Sequence, residues 1–506
     1  MQPRAVGGQW LKDRFNLVNY TMTHASYISG GTDVRVTSKG NIERDFVAKY
    51  DVGDPTNPLE HMEFYLKYDD FSLDFIQAVL KRIPEEEILE FIEFSPAGEL
   101  PRKIGYLYEW LTGRTLAVTK QIGGNYIDLL DTEKYVTGDI KKNARWRIND
   151  NLLGGSMYCP VVRKTPELKE LLKEDLSLKI AELKKSFPDD IFTRAINYLY
   201  TKETRSSYEI EKEKPSADRT QKFVTLLKQA GAESDIDMLS EERLVQLQNA
   251  IVDSRFGVKS FRDFQDYVGE SISLGEEYIH YICPPPSMVT GVMEGLKKVA
   301  LKTQSVPAEV RCGILSFGFV FIHPFDDGNG RIHRFLIHDL LTQGKIVPAG
   351  IIIPVSAHML NHKKEYDTTL EKYSTRLMNR IKYSRDGHGE LTITNEADIE
   401  GYFRYPDLTD QCLYLVRAIH ETIEEEMPEE LTFILRFDEA KKAIQEIVDM
   451  PDKMITQMLK YLHQNKGVLA KKRRAEFSKL TDEEIEFMQE AYKIIYFPDE
   501  TDNSPE

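Results

Sequence analysis

The chain has 506 residues, with 82 Asp and Glu against 66 Lys and Arg and a formal charge of −16. Taken whole, it lacks the cation-rich face a duplex nucleic acid demands, so only a local basic patch would bind one. Cys159, Cys283, Cys312 and Cys412 stand far apart with no CxxC pair, which argues against a zinc ribbon or a disulfide framework and fits a reducing cytosol. The first twenty residues contain no apolar signal core, and the longest apolar run, 313–322, is half a bilayer span. A cytoplasmic protein without a membrane partner is expected, with about three domains at roughly 150 residues each.

In chain order, residues 1–155 mix helical patterns, "FSLDFIQAVLKRIPEEEILEFIEF" and "IGYLYEWLTG", with Gly-rich turns, "SGGTDVRVTSKGN" and "IGGNYIDLL". That mixture predicts an α+β accessory domain. "NDNLLGGSMYCPVVRKTPEL" breaks the periodicity, so 156–186 reads as an ordered linker running into a helix. From there to residue 425 apolar residues recur at helical spacing, and 187–425 is expected to be the catalytic core. The exception is 261–282, "FRDFQDYVGESISLGEEYIHYI", whose aromatic-rich alternation around a Gly/Ser turn predicts a β-hairpin. "RDGHGELTITNEADIEG" reads as a second loop. Residues 426–506 predict a helical region, winged-helix-like in one reading because "KKRR" at 471–474 follows a helix-like stretch, and then a disordered acidic tail, "PDETDNSPE".

The chemistry concentrates in "HPFDDGNGRIHR", residues 323–334, directly after the apolar "CGILSFGFVFI". Residues 308–321 are apolar over most of a helical circumference and predict a buried central helix. Pro324 stops it, so His323 sits at its exit with the rigid support a base requires. Beyond Phe325, a hydrophobic plug, "DDGNG" offers successive backbone N–H groups to an anion, with Gly328 and Gly330 supplying unusual φ values. The next helix begins near Gly330, pointing its first amides at the same anion. Arg331 and Arg334 lie on one side of its first turn, where two guanidinium forks grip phosphates, and Asp327 suits a Mg²⁺ ligand. Alone, a "GNG" is loop punctuation and a histidine after a core helix is structural. No Glu stands at the twelfth position of a calcium loop, no GK[ST] follows the glycines, and His333 and His338 fall on different helix faces. The combination reads as a cradle for a nucleotide polyphosphate with a base at its rim.

His323, Phe325, Asp327, Gly328, Asn329, Gly330, Arg331 and Arg334 match every fixed position of HxFx[DE]GNGRxxR, and this stretch resembles the Fic-domain family. The resemblance implies a mainly α fold, a helical bundle with a β-hairpin flap, here joined by N-terminal α+β and C-terminal helical accessory regions. It also implies transfer of AMP from ATP, as co-substrate, to a Ser, Thr or Tyr hydroxyl of a target protein. His323 would deprotonate that hydroxyl, and Asp327 would hold Mg²⁺. Asn329, with the amides of Gly328 and Gly330, would hold the α-phosphate, Arg331 the β-phosphate and Arg334 the γ-phosphate. Asn361 and Tyr366 would contact adenine, the flap would pair with the target backbone, and relatives suggest a homodimer.

Many Fic proteins carry an inhibitory helix with the pattern [ST]xxxE[GN], whose Glu pairs with the second motif arginine. "SSYEIEKEKPS" supplies Ser207 and Glu211 near 204–213, with Lys212 in place of Gly or Asn. "TGVMEG" at 290–295 matches the letters but reads as an ordinary helix. The expectation is an autoinhibited adenylyltransferase. Its rivals are removal of AMP, a Mg²⁺-dependent phosphohydrolase using Glu211 and His323, and a nucleotide-sensing regulator binding DNA through its C-terminal basic run.

Overall fold

The computed structural model describes residues 3–38, 41–232, 234–273 and 276–497. The expected acidic tail and the tip of the expected hairpin lie outside the described residues. The chain begins with short strands β1 (Arg4–Ala5), β2 (Ala25–Ile28), β3 (Val34–Val36) and β4 (Ile42–Phe46), ordered β1-β2-β4-β3. The β2–β4 pair is parallel and the other two are antiparallel. Helices α1 (Gly7–Arg14), α2 (Pro58–Tyr68), α3 (Leu73–Leu80), α4 (Glu85–Phe94) and α5 (Glu99–Thr112) accompany them. Asn57 and Ser72 start α2 and α3 by accepting backbone N–H groups of the first turn, and Gly113 ends α5 at φ 70. A second sheet follows, β5 (Ile127–Asp128), β6 (Lys141–Asn143) and β7 (Ile148–Asp150), ordered β5-β7-β6.

The stretch expected as a linker is part of this core. Leu152, Cys159 and Val161 are buried in one cluster with Ile104, Leu107 and Trp146, because its apolar residues find partners on α5 although they follow no helical or strand period. The chain accordingly divides elsewhere than at the expected 155, 186 and 425. One compact unit comprises Met1–Asp175, Glu203–Ile351 and Val355–His420; the other comprises Leu176–Lys202, Ile352–Pro354 and Glu421–Glu506.

Continuing along the chain come α6 (Pro166–Leu171), α7 (Leu176–Lys185), α8 (Asp189–Ile210), α9 (Ala217–Lys228), α10 (Asp235–Met238) and α11 (Glu241–Ile251). The hairpin is β8 (Tyr267–Ser273) paired antiparallel with β9 (Glu276–Ile282), so 261–266 is a stem rather than strand. Helices α12 (Pro286–Lys302), α13 (Ala308–Ile322) and α14 (Asn329–Gln343) pack in succession, with α13 and α14 almost wholly buried. Next are α15 (Val355–Asn361), α16 (Lys363–Met378), β10 (Tyr383–Arg385), β11 (Leu391–Ile393), α17 (Glu396–Arg404) and α18 (Thr409–Glu421). The expected second loop thus contains a small hairpin, pinned by buried Leu391 and Ile393. The fold is mainly α with accessory regions.

In the second unit α19 (Met427–Ile447), α20 (Asp452–Gln464) and α21 (Asp482–Tyr496) close around Ile444, Ile455, Leu462, Phe477 and Met488. Among its described residues there is no strand, so the winged-helix reading fails for want of a wing. Part of the basic run is spent internally. Arg473 pairs with Glu476 and lies over Tyr461, while Arg474 pairs with Asp482 and donates to the carbonyls of Phe477 and Leu480. Among the described residues no helix is long and apolar enough to cross a membrane.

The N-terminal helices and the helical core share one charge pair. Arg380, after α16, forks onto Asp74 of α3, donates to the Asp398 carbonyl and stacks on Tyr20 at 3.8 Å, and both partners are buried. Removing one half of a buried pair strands the other, at a cost of ~3–5 kcal/mol. Asp74→Ala is therefore expected to destabilise this unit by about that amount in chemical denaturation, and Asp74→Asn by less.

Candidate active site

Helix α13 ends because Pro324 cannot extend it, and His323 closes it in the left-handed region, φ 51 and ψ 61, with its N–H on the Phe319 carbonyl at 3.0 Å. A non-glycine residue there costs on the order of 1 kcal/mol, and the surroundings hold it. The Arg262 side chain donates to the His323 carbonyl at 2.7 Å, and the Arg262 backbone N–H to the Pro324 carbonyl at 2.9 Å. His323 Nδ1 lies 3.2 Å from the Val320 carbonyl. A carbonyl only accepts, so Nδ1 carries the proton and Nε2 keeps its lone pair. Burial, opposed by that carbonyl, pushes the imidazole down to about 4. Near neutral pH it is an uncharged base.

The loop after it is built by its own side chains. Phe325 is buried against Phe261, ring centroids 5.5 Å apart. Asn329 folds back on the Phe325 backbone, accepting its N–H at 3.1 Å and donating to its carbonyl at 2.7 Å. Its amide thus shapes the turn through its oxygen and one of its two N–H groups. Gly328 caps α14 at φ 97, as expected, and the amides of the first turn have no carbonyl partner within the helix. Gly330 differs from expectation. It is helical, and it lacks a side chain because a Cβ there would collide with the Glu211 carboxylate.

The two motif arginines are each 1% exposed. Arg334 donates through Nε to Ser207 Oγ at 2.8 Å, and through Nη2 to the Ser207 carbonyl at 2.7 Å and Glu211 Oε1 at 2.8 Å. Arg331 donates to Glu213 at 3.1 Å and to Asp327, and lies over the Tyr208 ring at 5.3 Å. Arg331 Nε and Arg334 Nη1 are buried with no hydrogen-bond partner. Burial pushes the Glu211 carboxyl up, but the charges of Arg334 and Arg331 outweigh it and hold the group below its ordinary range. Lys212 has φ 59, so it occupies in left-handed form the position where the inhibitory pattern places Gly or Asn. Glu294, in the competing sequence match, is exposed on α12 and pairs with Lys297 at 2.8 Å.

Residues 238–341, from α10 through most of α14, match the model of the Fic/DOC family. The chain carries a Fic domain. A crystal structure of a Fic family protein from Desulfovibrio desulfuricans G20 matches with 19% identity, covering 55% of this chain and 80% of that one. Its TM-score is 0.35, too low to bear on the fold. No curated protein matches.

His323, Gly330, Glu211 and Tyr366 of the Fic site line one pocket of about 520 Å³, together with flap residues Val268 and His280. Arg331, Arg334 and Ser207 are buried, and Asp327 is half-exposed. Tyr366 is buried, pushed up to about 12 by burial although Arg334 opposes the shift, so it is a wall of the pocket. Asn361 is exposed at the end of α15 and does not line the pocket.

Several residues of the site escape sequence reading. Glu213 lies two positions beyond Glu211, past the end of the inhibitory pattern. Tyr208, Arg262 and Asp266 belong to no motif, and only distance in the fold relates them to His323 and Arg331. Asp266, immediately before β8, places Oδ2 at 3.7 Å from His323 Nε2. Burial raises its carboxyl to about 6. In an NMR pH titration the His323 ring, assigned by its loss in His323→Ala, is expected to stay neutral down to about pH 4, where a free histidine protonates near ~6.5.

Proposed function

We propose that this Fic domain is a protein adenylyltransferase held inactive by its own Glu211. The observation that carries the reading is the pair of buried arginines. Two guanidinium groups beside a neutral histidine, each keeping an unpartnered buried N–H, need anions. Glu211 and Glu213 stand in for the phosphates of a nucleotide.

In the proposed step the target hydroxyl oxygen attacks the α-phosphorus of ATP and its proton passes to His323 Nε2. The bond from the α-phosphorus to the bridging oxygen breaks, and pyrophosphate leaves with the electron pair. Arg331 and Arg334 take up the charge of the leaving β- and γ-phosphates once the carboxylates withdraw. The amides opening α14 face the α-phosphate, and Asn329 contributes by fixing their loop. Asp327, at the rim and on Arg331, fits a ligand for Mg²⁺, which when bound neutralises phosphate charge. The flap edge would align the target backbone.

Incubation with α-³²P- and γ-³²P-labelled ATP separates the alternatives: AMP transfer labels protein from the α position alone, and hydrolysis only releases label. His323→Ala is expected to abolish labelling. Glu211→Gly removes a charge-assisted bond worth ~1.5–3 kcal/mol, so labelling should rise about 10–100-fold. Unchanged labelling in that variant removes Glu211 from the inhibitory role.

Lys212 and Glu213 extend the same logic. Glu213→Ala should raise labelling by a smaller factor than Glu211→Gly. Lys212→Asn, which suits the left-handed turn better by ~0.5–1 kcal/mol, should lower residual labelling about two- to fivefold.

A further inference from the structure

Both ends of the flap stem converge on His323. Asp266 precedes β8 and Cys283 follows β9, and the two are tied by the Cys283 N–H donating to the Asp266 carbonyl at 3.0 Å. One ligand-competent atom from each of Asp266, Cys283 and His323 lies within 4.8 Å of the other two. The Cys283 side chain is fully buried, and Asp266 Oδ2 is buried without a hydrogen-bond partner. With Nδ1 donating to the Val320 carbonyl, the lone pair of His323 Nε2 is 3.7 Å from that carboxylate oxygen. Nitrogen and oxygen lone pairs so close, with a sulfur beside them, call for a positive centre.

We propose that Asp266, Cys283 and His323 form a binding site for a zinc ion, and that occupancy silences the domain by taking the nitrogen the reaction needs. Imidazole, carboxylate and thiolate are the donor types Zn²⁺ accepts, whereas Mg²⁺ prefers oxygen ligands. Tetrahedral ligands at ~2.0–2.3 Å from zinc lie about 3.3–3.8 Å from one another, so the Nε2–Oδ2 spacing already fits and the sulfur needs little movement. The Val320 carbonyl fixes the tautomer that presents Nε2, the outer-shell support typical of a ligating histidine. Binding displaces the thiol proton to solvent, and a water completes the coordination. His323 lines the open pocket, which gives the ion a path. Binding follows from this geometry alone; the silencing rests on the adenylyltransferase reading.

The test uses the full chain, stripped with chelator and titrated with ZnCl₂ by calorimetry, then with Co²⁺ followed by absorption. We expect one high-affinity zinc per chain and a thiolate-to-cobalt charge-transfer band. Both should be lost or weakened at least ~10–100-fold in Cys283→Ala and in Asp266→Asn. Among the described residues Cys159, Cys312 and Cys412 belong to no comparable cluster, so loss of the band in Cys283→Ala assigns the sulfur. Circular dichroism and the melting temperature of each metal-free variant exclude misfolding, and Cys283→Ser provides a second variant should alanine unfold the stem. Absence of zinc binding in the wild type, or a cobalt–thiolate band that survives in folded Cys283→Ala, overturns the site. In the Glu211→Gly background zinc should suppress labelling and chelator restore it, with Cys283→Ala labelling undiminished by zinc. Suppression that persists in Cys283→Ala overturns the silencing. Absence of labelling in zinc-free Glu211→Gly protein supplied with ATP and Mg²⁺, with zinc binding intact, would instead defeat the adenylyltransferase reading and leave the site standing.

Discussion

A guanidinium does not shed its proton inside a protein, and that constraint organises the Fic site. Arg331 and Arg334 are each 1% exposed, so their charges must be matched locally or unfolding is favoured. The chain matches them with carboxylates from the segment that ends α8, together with Asp327. On the adenylyltransferase reading, an entering nucleotide replaces these carboxylates with phosphate oxygens. On that reading the site exchanges one anion for another and is not simply empty or full. Such an exchange is finely poised, because the desolvation of the arginines is common to both states and cancels.

The mounting of α8 limits what must move. Glu203, fully buried, meets His338 of α14 at 2.6 Å and accepts the Ser356 N–H at 2.8 Å. Ser207, one turn on, is fixed to Arg334 through both side chain and carbonyl. The last helical turn is thus bolted to the motif helix, whereas Glu211, Lys212 and Glu213 lie beyond it. On the autoinhibited reading, release needs the Glu211 side chain to leave Arg334 and the chain beyond the left-handed Lys212 to carry Glu213 off Arg331. Gly330 serves the same segment, its missing Cβ making the space in which the Glu211 carboxylate lies.

Legibility followed contiguity. The apolar run of α13, the proline stop and the motif lie within one stretch, and each has a local physical meaning, so the buried helix, the base at its exit and the left-handed Gly328 were readable. Aromatic alternation marked the flap. Where a residue's work depends on something distant, the letters were silent or misleading. Gly330 promised an unusual φ and delivers clearance for a side chain more than a hundred positions away. The pairing of Asp74 with Arg380 spans 306 residues, and the apolar residues of 152–162 have no periodicity, so fusion of the N-terminal helices to the core left no local trace.

Arg262 shows how the flap and the base are made to act as one. Its backbone and guanidinium donate to the carbonyls of Pro324, His323, Phe264 and Pro284, the three side-chain bonds at 2.7 Å. These carbonyls belong to the two segments that flank the flap strands and to the exit of α13. A buried charge satisfied by carbonyls of three separate segments resists displacement of any one, since each lost bond would leave part of the cation bare. A strand added to the flap edge is then held in register with His323, because the rail and the imidazole hang from the same group. The strained left-handed backbone of His323 is sustained by the same donation. On the adenylyltransferase reading, proton removal and target alignment become one geometric constraint, set by a residue that belongs to neither motif.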